Sequence, residues 1–301
     1  TTYINIILGI SMSSTSTFTL IVYIQIYLTK VLCYQNRPFL IVIREQSMSF
    51  NSKVVLVTGA SSGIGAATAL LFAKEGADVA LVARNAAKLA VVAKQIEALD
   101  KKPLIIQADI SNETEVSTVV SKTVDHFGKL DVLVNNAGIA VEGSILNGNA
   151  LDAYDKVMKL NVRAAIQLTT LAAPFLAKTK GNIVNVSSIA STLTSKSPTG
   201  LPYCVSKAAL DHFTRCSALE LASIGIRVNS VNPGPVDNEF ATNNNQGDSR
   251  VITQECAKIS PLGFLPKSEE IAHVILFLAS EKARSVTGSN YVIDNGFLFK
   301  G

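Results

Sequence analysis

The stretch Tyr203-Cys204-Val205-Ser206-Lys207 sets a phenol and an ammonium four residues apart, directly after Pro202. On a helix, residues four apart share a face, so the two side chains would work as a pair. A tyrosine in water keeps its proton to about pH 10. A lysine cation on the same face favours the phenolate and brings proton exchange closer to neutrality. Lowering the pKa by about three units needs roughly 4 kcal/mol, and a unit charge at about 5 Å in an effective dielectric of about 20 supplies roughly 3 kcal/mol. One lysine therefore provides most of what a tyrosine acid or base requires, if the site is partly dry. In a chain with 7 tyrosines the pentapeptide alone is weak, because such pairs arise by chance.

A second set of residues is built for phosphate. Gly59, Gly63 and Gly65 follow the apolar run VVLVT and open a helix-period segment, in the spacing G-x-x-x-G-x-G. Glycines let the backbone turn sharply and let a pyrophosphate approach the amides at a helix N-terminus, where the helix dipole favours negative charge. Ser61, Ser62 and Ile64 belong to the same candidate loop. At the end of the next apolar run, where a carboxylate would accept from the ribose 2′-hydroxyl of NAD, the chain has Ala83 followed by Arg84. An arginine pairs with a 2′-phosphate that a carboxylate would repel, so NADP(H) is expected over NAD(H). Asp109, beside Ile110 after the third run, is placed to accept from the adenine amino group or to cap the following helix.

Stepping from these residues to their supports, seven short apolar runs alternate with helix-length segments: 54–58, 79–83, 103–108, 132–135, 182–187, 227–232 and 291–294. That alternation predicts a doubly wound α/β (Rossmann) fold, a mostly parallel seven-stranded sheet with helices on both faces. A helix over 63–75 stops at Gly76; Asn112 and Ser268 each precede an acidic first turn as N-caps do. Long helices are expected over 151–177 and 202–223. The polar stretch NNNQGDSR at 243–250 has the composition of a mobile loop, and either a substrate lid or a plain surface excursion fits it.

From residue 48 to the C-terminus the sequence resembles the short-chain dehydrogenase/reductase family, in its single-domain branch. The resemblance is carried by TGASSGIG at 58–65, ADI at 108–110, NNAG at 135–138, MKLNVRA around Asn161, IVNVSS at 183–188, YCVSK, VNPG at 231–234 and the terminal VTGSNYVIDNG. It implies a catalytic tetrad of Asn161, Ser188, Tyr203 and Lys207. In that scheme the tyrosine protonates the carbonyl oxygen, the serine hydrogen-bonds it, the lysine holds the ribose and lowers the tyrosine pKa, and the asparagine orients a relay water. It also implies cofactor contacts from Asn136, Ala137 and Gly138, from Tyr203 and Lys207, and from Pro233, Gly234, Val236 and Asn238. Ser187 competes with Ser188, since alternate strand residues face opposite ways; the family pattern selects Ser188. Three departures stand out: a fifteen-residue gap from Ser188 to Tyr203, Asn238 where relatives carry threonine, and Asn295-Gly296 in place of paired glycines.

Composition sets the outer limits. With 301 residues, 48% hydrophobic, 17% charged and a net charge of +4, the chain is globular and only mildly basic, and no nucleic-acid partner is expected. Its 4 cysteines form no zinc spacing and its 3 histidines are scattered, so no metal is expected and a reducing, cytoplasmic location is. Residues 1–47 are rich in Ile, Tyr, Thr and Ser, with an apolar stretch at 18–32 that is short for a membrane span of about 20 residues. They are read as an extension, non-native or disordered, with a membrane role only if native. Residues 48–301 are read as one Rossmann domain. The expectation is an NADP(H)-dependent reductase of a ketone or aldehyde, or the reverse oxidation, on a small-molecule substrate. The walls of the substrate pocket would come from 140–147, 189–202 and 234–264. A homodimer or homotetramer is implied by the resemblance. Enoyl reduction is disfavoured, because such enzymes resemble Y-x-x-x-x-x-x-K and residue 210 is Leu210; a silent nucleotide-binding scaffold is the alternative from another class.

Overall fold

The computed structural model describes residues 49–194 and 199–299, so the extension over 1–47 lies outside the described residues. Seven strands, β1 (Val54–Thr58), β2 (Asp78–Ala83), β3 (Leu104–Gln107), β4 (Val132–Asn135), β5 (Asn182–Val186), β6 (Arg227–Pro233) and β7 (Asn290–Ile293), form one parallel sheet in the order β3-β2-β1-β4-β5-β6-β7. All five residues of β1 and all five of β5 are buried. β1 is apolar but for Thr58, as a strand covered on both faces requires, and its two-residue period divides it between two cores; β5 also carries Asn182 and Asn185 inward, where their amides donate to the Ala279 carbonyl and to Thr214.

Val55, Val57, Val79 and Leu81 point to one core, with Phe72 of α1 (Gly63–Lys74), Leu89 of α2 (Ala86–Glu97) and Ile275 of α10 (Ser268–Ala279). Leu56, Ala80, Val82 and Leu133 point to the other. There they meet Val116 of α3 (Glu113–Ser117), Val119 of α4 (Val119–Phe127), Leu168 of α6 (Ala164–Thr179) and Ala218 of α7 (Leu201–Ala222). The remaining helices are α5 (Ala150–Met158), α8 (Phe240–Asn243) and α9 (Ser249–Ile259).

Helix ends follow local chemistry, with two departures from expectation. Asn112 caps α3 by accepting from the Thr114 amide, and Gly76, at φ +96°, ends the turn after α1. Ser268 is the first residue of α10 and not its cap; Lys267 holds that position, and the Glu270 carboxylate accepts from its amide at 2.8 Å. The long helix expected over 151–177 is broken into α5 and α6 by a π turn at Lys159–Arg163. Such a turn costs backbone regularity and commonly marks a functional position; here it carries Asn161.

The chain leaves β1 for β2 on one side and later fills β4 on the other. The crevice between β1 and β4 at the carboxyl ends is thus the sheet's switch point, where open α/β sheets take ligands.

Candidate active site

The glycine loop is held in shape from below. Thr58 Oγ1 accepts from the amides of Asn136 at 3.0 Å and Ala137 at 3.1 Å. Asn136 Nδ2 donates back to the carbonyls of Thr58 at 2.8 Å and Gly59 at 3.3 Å. These four bonds weld the end of β1 to the end of β4. They also leave no room for side chains: a Cβ on Gly65 would lie 2.3 Å from the Gly59 carbonyl oxygen, and Gly59 itself sits at φ +65°. Ser61, Ser62, Gly63 and Ile64 line the cavity that opens above this loop, of about 680 Å³.

Along one wall of the cavity run Arg84, Asn85 and Lys88, then Asp109 and Ile110. The Asp109 carboxylate accepts from the amide and hydroxyl of Ser111 at 2.9 and 2.8 Å and lies 4.0 Å from the Arg84 guanidinium. Burial pushes its pKa up, but the Ser111 bonds and then Arg84 and Lys159 outweigh this and hold it below the ordinary carboxylate value. Asn112, and not Asp109, caps α3; Asp109 makes the turn before it.

Along the opposite wall stand Gly138, Ser188, Tyr203, Lys207, Pro233, Gly234, Val236 and Asn238. Ser188 follows β5; its hydroxyl donates to the Pro233 carbonyl at 3.3 Å and accepts from the Ala190 amide at 3.1 Å, and it stands close enough to the Tyr203 hydroxyl to pull that group's pKa down. The Ser187 hydroxyl is turned back onto the Lys207 carbonyl at 3.2 Å, away from the phenol. Lys207, 4% exposed, donates to the Val186 carbonyl at 2.8 Å and lies 5.5 Å from the centre of the Tyr203 ring. Asn161 does not line the cavity directly. Its amide accepts from the Ile139 amide at 2.9 Å, donates to the Ile139 carbonyl at 2.9 Å and donates to Ser206 Oγ at 3.0 Å, and Ser206 donates to the Tyr203 carbonyl at 2.7 Å. Pulling Asn161 onto Ile139 is the tertiary demand that the π turn satisfies. A Cβ on Gly138 would lie 3.4 Å from Asn161 Oδ1 and 3.6 Å from Lys207 Nζ, so that glycine keeps amide and ammonium facing one small gap.

The sign of the tyrosine shift is a correction. Burial pushes the Tyr203 phenol up to about 12, against the downward pull of the Ser188 hydrogen bond. Burial likewise brings Lys207 down to about 8, against the upward pull of Asp211. The lysine charge does not lower the phenol as its spacing suggests, because both groups are desolvated together and the ammonium is bound to a carbonyl.

Several residues at the site carried no local signal. The polar stretch at 243–250 and the residues just before it make contacts around the cavity. Glu239 pairs with Lys88 at 2.9 Å, and Asn243 in α8 donates to Ser62 at 3.4 Å. Asn244 accepts from the Ala140 amide at 2.9 Å, and Phe240 lies 6.0 Å from the Tyr203 ring. Asn238 accepts from the Phe240 amide at 2.9 Å, and its side chain faces Gly63. Of the stretches expected to wall the substrate side, 234–264 lines the cavity from Gly234 to Cys256, with Phe240 and Ile252 as its large apolar groups, 189–202 contributes Ile189 among its described residues, and none of 140–147 reaches the cavity. Residues 195–198 within the second stretch lie outside the described residues. Lys88 alone had a readable clue, one helical turn beyond Arg84.

The model of a family described as enoyl-(acyl carrier protein) reductase, of the short-chain alcohol dehydrogenase type, matches residues 59–298. The chain belongs to the short-chain dehydrogenase/reductase family. Among these dehydrogenase/reductases, a 3-oxoacyl-[acyl-carrier-protein] reductase of Thermotoga maritima is 36% identical over 252 residues, 83% of this chain and 100% of that protein. A crystal structure of a short-chain dehydrogenase/reductase of unknown function from Caenorhabditis elegans with cofactor superposes with a TM-score of 0.79 at 38% identity, covering 84% of this chain and 97% of that one. L-sorbose reductase from Gluconobacter frateurii, solved in complex with NADPH and L-sorbose, superposes with a TM-score of 0.76 at 34% identity, covering 83% and 98%. As a member of this family the chain is an oxidoreductase of small molecules that uses a nicotinamide dinucleotide, and the cavity fits one. The side-chain-free cradle at Gly59 and Gly65 admits a pyrophosphate, and Arg84 and Asp109 flank the space beyond it. Among the described residues no helix is long and apolar enough to cross a membrane.

Proposed function

We propose that the protein is an NADP(H)-dependent oxidoreductase that reduces a ketone or aldehyde to an alcohol, or catalyses the reverse, with Tyr203 as general acid/base. The observation that carries this is a phenol standing beside Ser188, with a buried ammonium 5.5 Å from its ring, in the cavity that begins at the glycine loop. A nicotinamide dinucleotide bound there supplies or accepts the hydride. Tyr203, with its pKa pushed up to about 12, keeps its proton at neutral pH and is in the state needed to donate to a carbonyl oxygen that becomes an alkoxide. Ser188 is placed to hydrogen-bond the same oxygen, Lys207 to place positive charge beside it, and Asn161 to brace the segment that carries Ile139 against the helix of the tyrosine.

NADP(H) over NAD(H) is supported by Arg84 and Lys88 on one wall, with Arg84 largely exposed and therefore free to meet a 2′-phosphate. The L-sorbose reductase relative holds NADPH in its crystal structure. Carbonyl rather than enoyl reduction is supported by the lysine four residues after the tyrosine and by Leu210 at the seventh. The cavity's apolar lining, Ile139, Ile189, Phe240, Ile252 and Leu265, favours a carbonyl with an apolar body.

The test is NADPH oxidation with a panel of apolar ketones, aldehydes and keto sugars. Tyr203→Phe should lose about 10²–10⁴-fold in rate while still binding NADPH, and Arg84→Ala should weaken NADPH about tenfold or more with little effect on NADH. Equal rates for wild type and Tyr203→Phe would remove the phenol from the mechanism. NADPH binding with no turnover of any panel member would make the protein a silent scaffold.

A further inference from the structure

Asp211 is a buried carboxylate, 5% exposed, one helical turn beyond Lys207 on α7. Its Oδ2 accepts from Asn232 Nδ2 at 2.8 Å, whereas its Oδ1, equally enclosed, has no hydrogen-bond partner. A buried carboxylate with one unpartnered oxygen is costly unless a cation stands near it. The groups on the surrounding elements do not serve. On α7, His212 and Arg215 are exposed and contact each other. On α5, Asp152, Asp155 and Lys156 are exposed, as are Lys159 and Arg163 of the π turn. On β6, Arg227 lies at the start of the strand and donates to the carbonyls of Val286 and Ser280. Arg84, Lys88, Asp109 and Glu239 line the same cavity, with Arg84 and Lys88 following β2, three strands from β5 in the sheet order. Cys256 and Tyr203, also in the lining, carry no positive charge. Among the described residues, Lys207 is the one buried cation, four residues before Asp211 on the same helix, and the carboxylate's charge favours its ammonium form.

The carboxylate reaches the site by a second route. Asn232 Nδ2, anchored on Asp211, also donates to the Ser188 carbonyl at 3.2 Å and to Ser191 Oγ at 3.1 Å, and Ser230 donates to Asn232 Oδ1 at 2.7 Å. Asp211 therefore fixes, through Asn232, the backbone of the serine that stands beside the phenol.

We propose that Asp211 is a positioning residue that keeps Lys207 an ammonium in the dry site and, through Asn232, seats Ser188. It touches no substrate itself. Its charge sets the upper pH limit of the working state, because removing it leaves burial unopposed and lowers the lysine pKa further. The proposal rests on the role given to Lys207 above, but its test does not. Asp211→Asn has the same shape and keeps an oxygen to accept from Asn232. With lysine labelled at the ε-carbon and the Lys207 resonance assigned by its loss in Lys207→Arg, NMR titration of the intact protein should show the lysine midpoint about one to two pH units lower in Asp211→Asn than in wild type, a ten- to hundredfold change in acidity. An unchanged or raised midpoint overturns the proposal. A purely structural role would lower the melting temperature and leave the midpoint in place. If Asp211→Asn does not fold, Asp211→Ser, which retains an acceptor, carries the same comparison. The alkaline limb of kcat/KM with NADPH should move by the same amount. A shifted midpoint with an active Tyr203→Phe leaves Asp211 in its role and sinks the tyrosine mechanism, so the two failures are told apart.

Discussion

Gly65→Ala gives a severe test of the welded loop at small chemical cost. The added methyl carbon would lie 2.3 Å from the Gly59 carbonyl oxygen, 2.8 Å from its carbonyl carbon and 2.4 Å from Asn136 Nδ2. Two of these three atoms are backbone, and the third already donates to the Thr58 and Gly59 carbonyls, so none can swing aside as a free side chain would. Restoring contact distance needs a displacement of roughly 1 Å, and overpacking of this kind costs about 1–3 kcal/mol. For a domain of this size that lowers the melting temperature by about 2–4 °C per kcal/mol, giving a loss of about 6–12 °C at the upper end of that range. The same displacement moves the amides that face the pyrophosphate, so NADPH affinity should fall about tenfold or more. Gly128→Ala is the control. It also fills a glycine, at φ +82°, but meets nothing within 4 Å, so it should cost about 1 kcal/mol of backbone strain and leave NADPH affinity alone. Differential scanning fluorimetry and NADPH fluorescence titration measure both quantities. A Gly65→Ala protein with the melting temperature and NADPH affinity of Gly128→Ala would refute the steric account of the cradle.

Lys207 also makes stability depend on pH in a defined direction. Its folded pKa of about 8 lies below the ordinary 10.5, so between these values the unfolded chain holds the proton that the folded one has released, and stability rises with pH. Chemical denaturation should show the wild type gaining about 2 kcal/mol relative to Lys207→Met from pH 8 to 10, and an equal pH dependence for the two would refute it. Tyr203, raised from 10.0 to about 12, acts oppositely above pH 10, where the folded state retains the proton and stability falls. The exposed Ile166 on α6 and Leu219 on α7 suit a symmetric contact, so sedimentation velocity should show an oligomer that Leu219→Glu dissociates, and a wild-type monomer would dismiss that assembly.

The sheet was legible because strands covered on both faces are largely apolar, and β1 and β4 match the runs VVLVT and VLVN residue for residue. The glycine loop and the Tyr203–Lys207 pair were legible because their chemistry is local, within one turn or one loop. The π turn was not. Lys159-Leu160-Asn161-Val162-Arg163 has ordinary helix composition, and only the pull of Ile139, 22 residues earlier, distorts it. Contacts between Lys88 and Glu239, 151 residues apart, and between Ala140 and Asn244, 104 apart, have no trace in any window of sequence. The direction of the tyrosine shift failed for a related reason. Sequence shows the cation four residues away, but not that the ammonium is buried and the phenol largely enclosed at the same site.

Burial moves the two partners in opposite senses, and the outcome for function depends on the order in which they titrate. Below about pH 8 the pair is phenol and ammonium; above it, phenol and amine. In neither state is the phenolate the resting form, so near neutrality Tyr203 rests with its proton in place. The ammonium then has to be maintained against the same desolvation that protects the phenol. A surface counter-ion would be screened by solvent, and a carboxylate in direct contact with the ammonium would cancel its charge. Asp211, buried four residues from Lys207 on α7 while Lys207 Nζ is bound to the neutral Val186 carbonyl, lowers the cost of that charge.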